Sequence, residues 1–241
     1  EWVYIVNYFG QLDNRKVLEF KREYRNIIWD NAQAFFQDPV PGVDTIYTCR
    51  KYFGVTDGAF LYTDAVDLDD YEWDESYDRV QFLLGRYERT ATEFYAEYAR
   101  REELFEHEPI KRMSKLTRNL LHGIDYSFVE NRRTENFMFL FERLKDLNEL
   151  DISVCKGAYM YPLYVKNGAA LRKELQKKKI FIATLWPDVF QLCEESEIEY
   201  DMAQNILPIP VDQRYTVEDM RFIVSVIETL KNDTEFMNRG N

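Results

Sequence analysis

The sequence predicts an α/β fold with a largely parallel sheet, followed by a helical connector and a smaller α+β lobe. Over the first third of the chain, short apolar runs alternate with charged, helix-like segments, as expected of strands joined by helices. Residues 75–150 keep a helical spacing of apolar side chains, and the last third returns to mixed patterns. With 241 residues, 46% of them hydrophobic, the chain has enough apolar surface for one large domain or for a domain with a smaller lobe.

The first third of the chain contains strand-like runs and one helix-like run. The strand-like runs are short, rich in β-branched and aromatic residues, and bounded by glycine, aspartate or a loop. Between the first two of them, apolar Val17, Leu18 and Phe20 stand among charged residues, which is typical of a surface helix. The predicted strands are Trp2–Tyr8, Asn26–Trp29, Thr45–Cys49 and Ala59–Thr63, and the predicted helix is Asp13–Tyr24.

The rest of the chain is predicted to be helical and then mixed. Within Ile152–Val165 we expect one or two strands, interrupted by Gly157 and Pro162. The last predicted helix begins with Thr216 as its N-cap and has Asp219 three residues later, in a capping-box-like arrangement. The other predicted elements are helix Ala169–Lys178, strand Ile180–Leu185 and helix Thr216–Leu230. We therefore divide the chain into part of a large α/β domain at 1–66, a helical connector at 67–150 and a small α+β domain at 151–241.

Charge and composition exclude several classes of partner. A formal net charge of -12 opposes binding to a nucleic-acid backbone or to an anionic membrane surface. No apolar run approaches the length of a membrane span, and no signal peptide is recognisable. Cys49, Cys155 and Cys193 are odd in number and far apart, so we expect reduced thiols in a cytoplasmic protein. Because an apolar strand begins directly after Glu1, we expect further residues before it.

Metal binding is not expected from the pattern of potential ligands. The acidic run Asp64–Asp78 is most simply a solvated linker or the start of a helix. A metal site is the alternative for this run, but the glycine and the alternating spacing of a calcium loop are missing. His107 and His122 have no metal-ligand spacing relative to any cysteine, which argues against a zinc site.

Polar residues at the ends of two predicted strands are the candidate site residues. Asp30 closes a buried strand, where open α/β sheets place their ligands, and Gln33 lies one helical turn further on. Lys51 lies in the loop between the next two strands, beside hydroxyl residues and close to two glycines. The alternatives are that Asp30 caps a helix over Asn31–Phe36 and that Lys51 is a structural lysine.

This combination of residues suits pyridoxal 5'-phosphate. A lysine amine becomes a nucleophile when burial or a neighbouring cation, here Arg50, lowers its pKa. A carboxylate such as Asp30 opposite the pyridine nitrogen keeps that nitrogen protonated, so that the ring can accept electrons from the substrate. Thr48 offers a hydroxyl donor to the phosphate, and Arg50 offers positive charge.

Several segments, in this order, resemble the core motifs of the DegT/DnrJ/EryC1/StrS family of sugar aminotransferases. The motifs are a glycine-ended strand, a strand ending in Asp-x-x-Gln, and a lysine followed by a glycine and an Asp-Gly pair. Nearer the C-terminus, a small-domain strand and a closing strand with its helix are also similar. The matching segments are Val6–Gly10, Ile27–Ala34, Arg50–Ala59, Lys179–Pro187, Leu207–Pro210 and Tyr215–Asp219.

The resemblance implies a fold-type-I transferase, with helices on both faces of the sheet, that acts as a homodimer. It implies that Lys51 holds the cofactor as a Schiff base and then serves as general base and acid. Asp30 would pair with the pyridine nitrogen, Gln33 would lie beside the 3-hydroxyl of the ring, and Thr48 would lie near the phosphate. The implied reaction transfers an amino group from glutamate to a keto sugar carried on a nucleotide. A non-catalytic or truncated aminotransferase-like domain with an assembly or regulatory role is the alternative.

The sequence also departs from the family pattern. Asn7 stands where many members have a histidine. The pairs Arg132-Arg133 and Asn136-Phe137 are candidate anion contacts, and the alternative for the two arginines is that they are solvated residues of a charged helix. The small-residue helix start that binds the phosphate and the aromatic residue that stacks on the ring are not in this sequence. If the polypeptide begins at Glu1, we expect weak cofactor binding and little transamination.

Overall fold

The computed structural model describes residues 2–65, 68–90, 92–97, 100, 105 and 108–232. The chain divides into two compact units. The first comprises Glu1–Asn7 and Leu12–Asp125, and the second comprises Tyr8–Gln11 and Tyr126–Asn241. The boundary after Asp125 falls inside the predicted connector, and the three-part division of the sequence stays a prediction.

The first unit is built on a four-stranded sheet with the strand order β1-β2-β3-β4. Strands β1 (Val3–Val6), β2 (Ile27–Asp30) and β3 (Asp44–Thr48) are parallel, whereas β4 (Ala59–Tyr62) is antiparallel to β3. Helix α1 (Asn14–Glu23) connects β1 to β2, as a parallel pair requires. The predicted α/β class is therefore confirmed, with an antiparallel strand at one edge of the sheet.

The two faces of this sheet differ in burial because successive side chains of a strand point to opposite faces. Ile27 and Trp29 pack with Val17, Val40 and Val43 in an apolar cluster whose members are at most 2% exposed. The opposite face is only partly covered and carries Tyr4, Ile28, Asp30, Ile46 and Thr48. The candidate residues on β2 and β3 therefore lie on the more exposed face.

Helices α2 (Gln81–Glu88) and α3 (Lys115–His122) follow in the first unit, in agreement with the helical pattern of the middle of the chain. Ser114 caps α3, because its hydroxyl accepts a hydrogen bond from the Thr117 backbone N–H at 3.1 Å. His107, considered above as a metal ligand, lies outside the described residues. Within the described part of the chain, no helix is both long enough and apolar enough to cross a membrane.

The second unit begins with helix α4 (Tyr126–Leu144), which packs in an apolar cluster with strand β5 (Met160–Tyr164). Strand β5 pairs antiparallel with β6 (Ile206–Pro210) in a two-stranded sheet. Thr216 precedes the last helix, and its backbone N–H and hydroxyl both donate to Asp219 Oδ2 at 2.8 Å, which confirms the predicted helix start. The remaining helices are α5 (Gly168–Lys177), α6 (Val189–Leu192), α7 (Ile198–Asn205) and α8 (Val217–Asn232).

The strand predictions in the second unit are right only in part. One strand, β5, lies within Ile152–Val165, after a turn at Gly157, whereas the break predicted at Pro162 is wrong. Strand β5 continues through Pro162, which faces Pro208 across the ladder, where neither residue has an N–H to donate. All residues of Ile180–Leu185 are described, and none of them belongs to a strand. Ile180 and Ile182 are buried, at 8% and 7% exposure, and the residue between them is 71% exposed. The alternation typical of a strand is therefore present without a neighbouring strand to pair with.

Candidate functional site

Asp30 ends β2 on the partly covered face of the sheet, and both of its carboxylate oxygens accept hydrogen bonds. Oδ1 accepts from the backbone N–H of Ala32 at 2.8 Å, and Oδ2 accepts from the hydroxyl of Tyr4 at 2.7 Å. The residues that follow Asp30 form turns, so the alternative prediction of a helix over Asn31–Phe36 is wrong. Each carboxylate oxygen has a second lone pair, and Asp30 can therefore also accept a hydrogen bond from a ligand.

Asn7 holds the strand ends beside Asp30 in place. It is fully buried, and its backbone N–H donates to the Asp30 carbonyl at 3.0 Å. Its side-chain amide donates to Asn31 Oδ1 at 2.9 Å and to Gln37 Oε1 at 2.8 Å, while its Oδ1 accepts from the Leu12 N–H at 2.8 Å. Asn7 is therefore the centre of a buried hydrogen-bond network.

Lys51 lies in a tight turn that follows β3. The backbone N–H groups of Tyr52 and Phe53 donate to the Cys49 carbonyl at 3.1 and 2.9 Å. Both rings are buried, and Phe35 packs against them with ring centroids 5.4 and 4.9 Å apart. Since Phe35 belongs to the turn after β2, this aromatic cluster joins the two turns that carry the candidate residues. Nothing in the spacing of the sequence indicated this contact.

The surroundings of Lys51 lower the pKa of its amine. Burial is the largest cause, because nearby protein atoms replace part of the ammonium hydration although the side chain keeps one side open to solvent. The Asp30 carboxylate opposes this effect and raises the pKa of Lys51, whereas the Arg50 guanidinium lowers it further. The charges of Lys51 and Asp30 therefore interact. Arg50, the cation expected to activate the lysine, lowers the pKa of Lys51 as expected, and its effect is the smallest of the three.

Thr48 and Gln33 differ in their relation to Asp30. Thr48 is the last residue of β3 and lies on the same sheet face as Asp30, just beyond Ile46, which pairs with Asp30. Gln33 is only 7% exposed and belongs to the turn after β2. The structure thus brings Asp30, Thr48 and Lys51 to one edge of the sheet, whereas Gln33 is largely buried within the turn.

Gly58 lets β4 start close to the Lys51 turn. Its φ is +100°, and a Cβ atom on it would lie 2.9 Å from Cγ2 of Thr117, so a larger residue would clash there. Its carbonyl accepts a hydrogen bond from the Cys49 N–H at 3.0 Å.

Burial raises the pKa of the Cys49 thiol to about 12, and this cysteine is therefore not a nucleophile at neutral pH. The described residues contain no group of three or more His, Cys, Asp or Glu that could hold a metal ion.

A cavity of about 300 Å³ adjoins the same edge of the sheet, within the first unit. Thr48 and Arg50 contribute to its lining, together with the buried pair of Asp57 and Arg79. Asp74 also lines the cavity and forms an ion pair with Arg79. This part of the acidic run is therefore packed against a cation and is not a solvated linker. The sequence pattern did not indicate the cavity, because its residues are far apart along the chain.

Arg133 and Asn136 are buried residues of α4, and the interpretation of Arg133 as a solvated residue is therefore wrong. Arg133 is 2% exposed and donates from Nη1 to the Ala158 carbonyl at 3.0 Å and from Nε to Gln213 Oε1 at 2.9 Å. Asn136 is fully buried and donates to the Tyr215 carbonyl at 3.0 Å. Both side chains therefore satisfy carbonyl and amide acceptors inside the second unit.

Comparison with known proteins finds similarity in structure. No protein-family model matches the sequence, and no match is found among curated proteins. DesV of S. venezuelae, solved in complex with a ketimine intermediate, is 13% identical with a TM-score of 0.61, and the match covers 97% of this chain and 66% of that one. A DegT DnrJ EryC1 StrS aminotransferase from Brucella abortus is 14% identical with a TM-score of 0.57, covering 95% and 64%. The sugar aminotransferase CalS13 from Micromonospora echinospora is 18% identical with a TM-score of 0.55, covering 94% and 66%.

At these identities the likeness establishes the fold of the chain. The chain is similar over nearly all of its length to aminotransferases, and it spans about two thirds of the length of each of these structures, at 66%, 64% and 66%. The shared fold agrees with the family resemblance that the motifs around Asp30 and Lys51 indicate.

Proposed function

We propose that the chain carries the lysine side of a pyridoxal-phosphate-dependent sugar aminotransferase of the fold-type-I class. The observation that supports this most is that Asp30 and Thr48 end neighbouring strands on one sheet face and Lys51 follows in the next turn, where the Asp30 carboxylate acts to raise the pKa of the Lys51 amine. An amine with a lowered pKa, a carboxylate with spare lone pairs and a hydroxyl at Thr48 form a donor set that fits the cofactor. The aminotransferase fold of the similar structures supports the same assignment.

Each residue of the donor set has a distinct role in this proposal. Lys51 would hold the cofactor through its neutral amine, and the same amine would serve as general base and acid. Asp30 would accept a hydrogen bond from the protonated pyridine nitrogen. Thr48 would donate to the phosphate, and Gln33 would lie on the side of the ring hydroxyl. When bound, pyridoxal phosphate supplies the electron sink that stabilises a carbanion of the substrate.

The substrate and the assembly follow from the family resemblance. We infer that glutamate is the amino donor, that a keto sugar on a nucleotide is the acceptor, and that the enzyme is a homodimer. Cys49, Cys155 and Cys193 are all free thiols, which supports a reducing, cytoplasmic setting. If the proposal is correct, sedimentation of the protein should give twice the mass of the chain, and glutamate should change the absorbance of the bound cofactor.

Cofactor attachment tests the proposal directly. Purified protein should take up pyridoxal phosphate with a change in visible absorbance, and borohydride should then fix the cofactor to the peptide that contains Lys51. A Lys51→Ala variant should lose this labelling completely. Lys115 is an exposed lysine at the start of α3 in the same unit, so a Lys115→Ala variant is the matched control and should label like the unmodified protein.

The opposite results are equally clear. If the purified protein takes up no added pyridoxal phosphate, the proposed enzyme function is wrong. That result would support the alternative of a non-catalytic domain. Labelling that persists in the Lys51→Ala variant, spread over exposed lysines, would show that Lys51 is not the attachment site.

A further inference from the structure

The ring of Phe35 connects the turn after β2 to β3, to β4 and to the turn after β3. Its centroid lies 6.2 Å from the ring of Tyr47 on β3 and 6.0 Å from the ring of Phe60 on β4. In the turn after β3, Phe53 meets it edge-on at 4.9 Å, and Tyr52 lies 5.4 Å away at a tilt of 38°. Aromatic rings attract each other in edge-to-face arrangements at such distances, so these contacts hold four segments of the chain together.

Hydrogen bonds attach the turn after β2 to β3 at both ends of the turn. At its start, the Asn31 backbone N–H donates to the Ile46 carbonyl at 2.8 Å. At its end, the Tyr47 hydroxyl donates to the Gln37 carbonyl at 2.8 Å. Phe35 lies between these two attachments, and its ring therefore holds the middle of this turn against the turn after β3.

The course of the backbone at Lys51 depends on the two rings that follow it. Tyr52 is 2% exposed and Phe53 is 5% exposed, whereas Lys51 itself is exposed. Because closely packed buried rings have little freedom to move, they fix the backbone from which the Lys51 side chain extends. Phe35, in contrast, keeps part of its side chain exposed, so its replacement should disturb this contact more than the core of the unit.

We propose that Phe35 is a positioning residue that sets where the Lys51 turn lies relative to the Asp30 carboxylate. Asp30 directly precedes the turn that carries Phe35, and Lys51 directly precedes the two rings that Phe35 contacts. A loss of the ring contacts would let the two turns separate, and reacting groups must be held to within about 0.5 Å of their productive geometry. The proposal rests on the proposed function for the reason that this geometry matters, whereas the geometry itself can be tested without any cofactor.

A double-mutant cycle on the full chain tests the proposal through the pKa of Lys51. Competitive acetylation followed by mass spectrometry gives this pKa in the unmodified protein, in Asp30→Asn, in Phe35→Leu and in the protein with both substitutions. Since the Asp30 carboxylate raises the pKa of Lys51, Asp30→Asn alone should lower it. In the Phe35→Leu protein the same substitution should shift the pKa by about half as much or less, because the interaction of two charges weakens with distance and with access of water.

Three further variants assign the effect to the ring of Phe35. Phe35→Tyr keeps the ring and should keep the full shift on Asp30→Asn. Phe20→Leu is the matched control, because Phe20 is a partly exposed phenylalanine on α1 that packs in the separate cluster of Ile27 and Trp29. It should leave the shift unchanged. If Phe35→Leu does not fold, Phe35→Met removes the same ring contacts with a longer and more adaptable side chain.

Cofactor labelling separates this proposal from the proposed function. Phe35→Leu should slow the labelling of Lys51 by pyridoxal phosphate by about tenfold, and Phe35→Tyr should label like the unmodified protein. If the unmodified protein takes up no pyridoxal phosphate but Phe35→Leu still reduces the Asp30→Asn shift, the proposed function is refuted and the positioning by Phe35 is supported. The positioning proposal is overturned if Phe35→Leu keeps the full shift, if Phe20→Leu reduces the shift as much, or if Asp30→Asn causes no shift in the unmodified protein.

Discussion

Two neighbouring charges change the pKa of Lys51 in opposite directions, which makes their effects separable. Burial and Arg50 lower the pKa, so a larger fraction of the amine is neutral at pH 8 than in an ordinary lysine. Asp30 raises it by stabilising the ammonium. We therefore predict that Asp30→Asn lowers the pKa of Lys51 further, and that Arg50→Gln raises it towards the ordinary value.

Competitive acetylation followed by mass spectrometry measures this pKa from the pH dependence of Lys51 labelling. The labelling curve of Asp30→Asn should move to lower pH and that of Arg50→Gln to higher pH. Arg15→Gln, which removes an exposed cation from α1, should leave the curve in place. A shift in the same direction for both variants would contradict the coupling of Lys51 to these residues.

Tyr4 is expected to position Asp30, a role that no pattern in the sequence indicated. Its hydroxyl donates to Asp30 Oδ2 at 2.7 Å, and its ring lies on the partly covered sheet face. Without this bond only the Ala32 N–H holds the carboxylate, which is then less firmly oriented. We predict that Tyr4→Phe raises the dissociation constant for pyridoxal phosphate by about three- to tenfold, since a typical hydrogen bond contributes roughly 0.5–1.5 kcal/mol and this one is exposed.

Fluorescence or absorbance titration of the cofactor measures this change. Tyr87→Phe is the control, because Tyr87 is 88% exposed on α2, and it should bind the cofactor like the unmodified protein. The circular dichroism spectrum of Tyr4→Phe should match that of the unmodified protein, which shows that the loss of cofactor affinity does not come from loss of the fold. Unchanged cofactor affinity in Tyr4→Phe would mean that Tyr4 does not position Asp30.

At the residue scale, local pattern was enough to select Asp30 and Lys51, because strand ends and loops can be recognised from a few neighbouring residues. It could not select Tyr4 or Asp57. Tyr4 lies 26 residues before the carboxylate that it contacts. Asp57 is distinguished only by its burial next to Arg79, a contact that depends on how the middle of the chain folds back.

At the scale of elements, the cap of α3 is a defined contribution to stability. The Ser114 hydroxyl is buried, accepts from the Thr117 N–H at 3.1 Å and shares a hydrogen bond of 2.7 Å with the Ser76 hydroxyl. Ser114→Ala would leave both partners without this bond. We predict that it lowers the free energy of unfolding by about 1–2 kcal/mol.

Urea unfolding followed by circular dichroism measures the loss. Ser127→Ala is the control, because Ser127 is an exposed serine in the first turn of α4, and it should change the unfolding free energy by less than about 0.5 kcal/mol. Equal effects of the two substitutions would mean that the cap does not contribute.

The order of elements in the first unit could be predicted because each strand-like run ends at a clear breaker and each charged run has a helical period. The prediction failed for Ile180–Leu185, where period-two alternation of burial reflects a segment lying over a core and not a paired strand. It also failed at Pro162, where the tolerance of β5 for proline depends on Pro208 opposite. In both cases the missing information is the identity of the neighbouring segment, which local pattern does not contain.

At the scale of the whole molecule, the net charge of the chain and the charge of the Lys51 turn have opposite signs. The chain carries a formal charge of -12, whereas Arg50 and Lys51 are adjacent cations in the turn after β3. An anionic ligand such as pyridoxal phosphate is therefore repelled at long range and attracted at short range. Salt weakens the long-range repulsion more than the short-range attraction, because the screening length falls from about 30 Å at 0.01 M to about 8 Å at 0.15 M.

We predict that the association rate of pyridoxal phosphate rises by about two- to threefold between these salt concentrations, since distant repulsion is screened more than contacts within a partly buried site. Stopped-flow absorbance in sodium chloride measures the rate. Pyridoxal, which lacks the phosphate, is the matched control and should show little dependence on salt. A rate for pyridoxal phosphate that falls with salt would mean that the cations beside Lys51 determine the approach of the ligand and that the acidity of the rest of the chain does not.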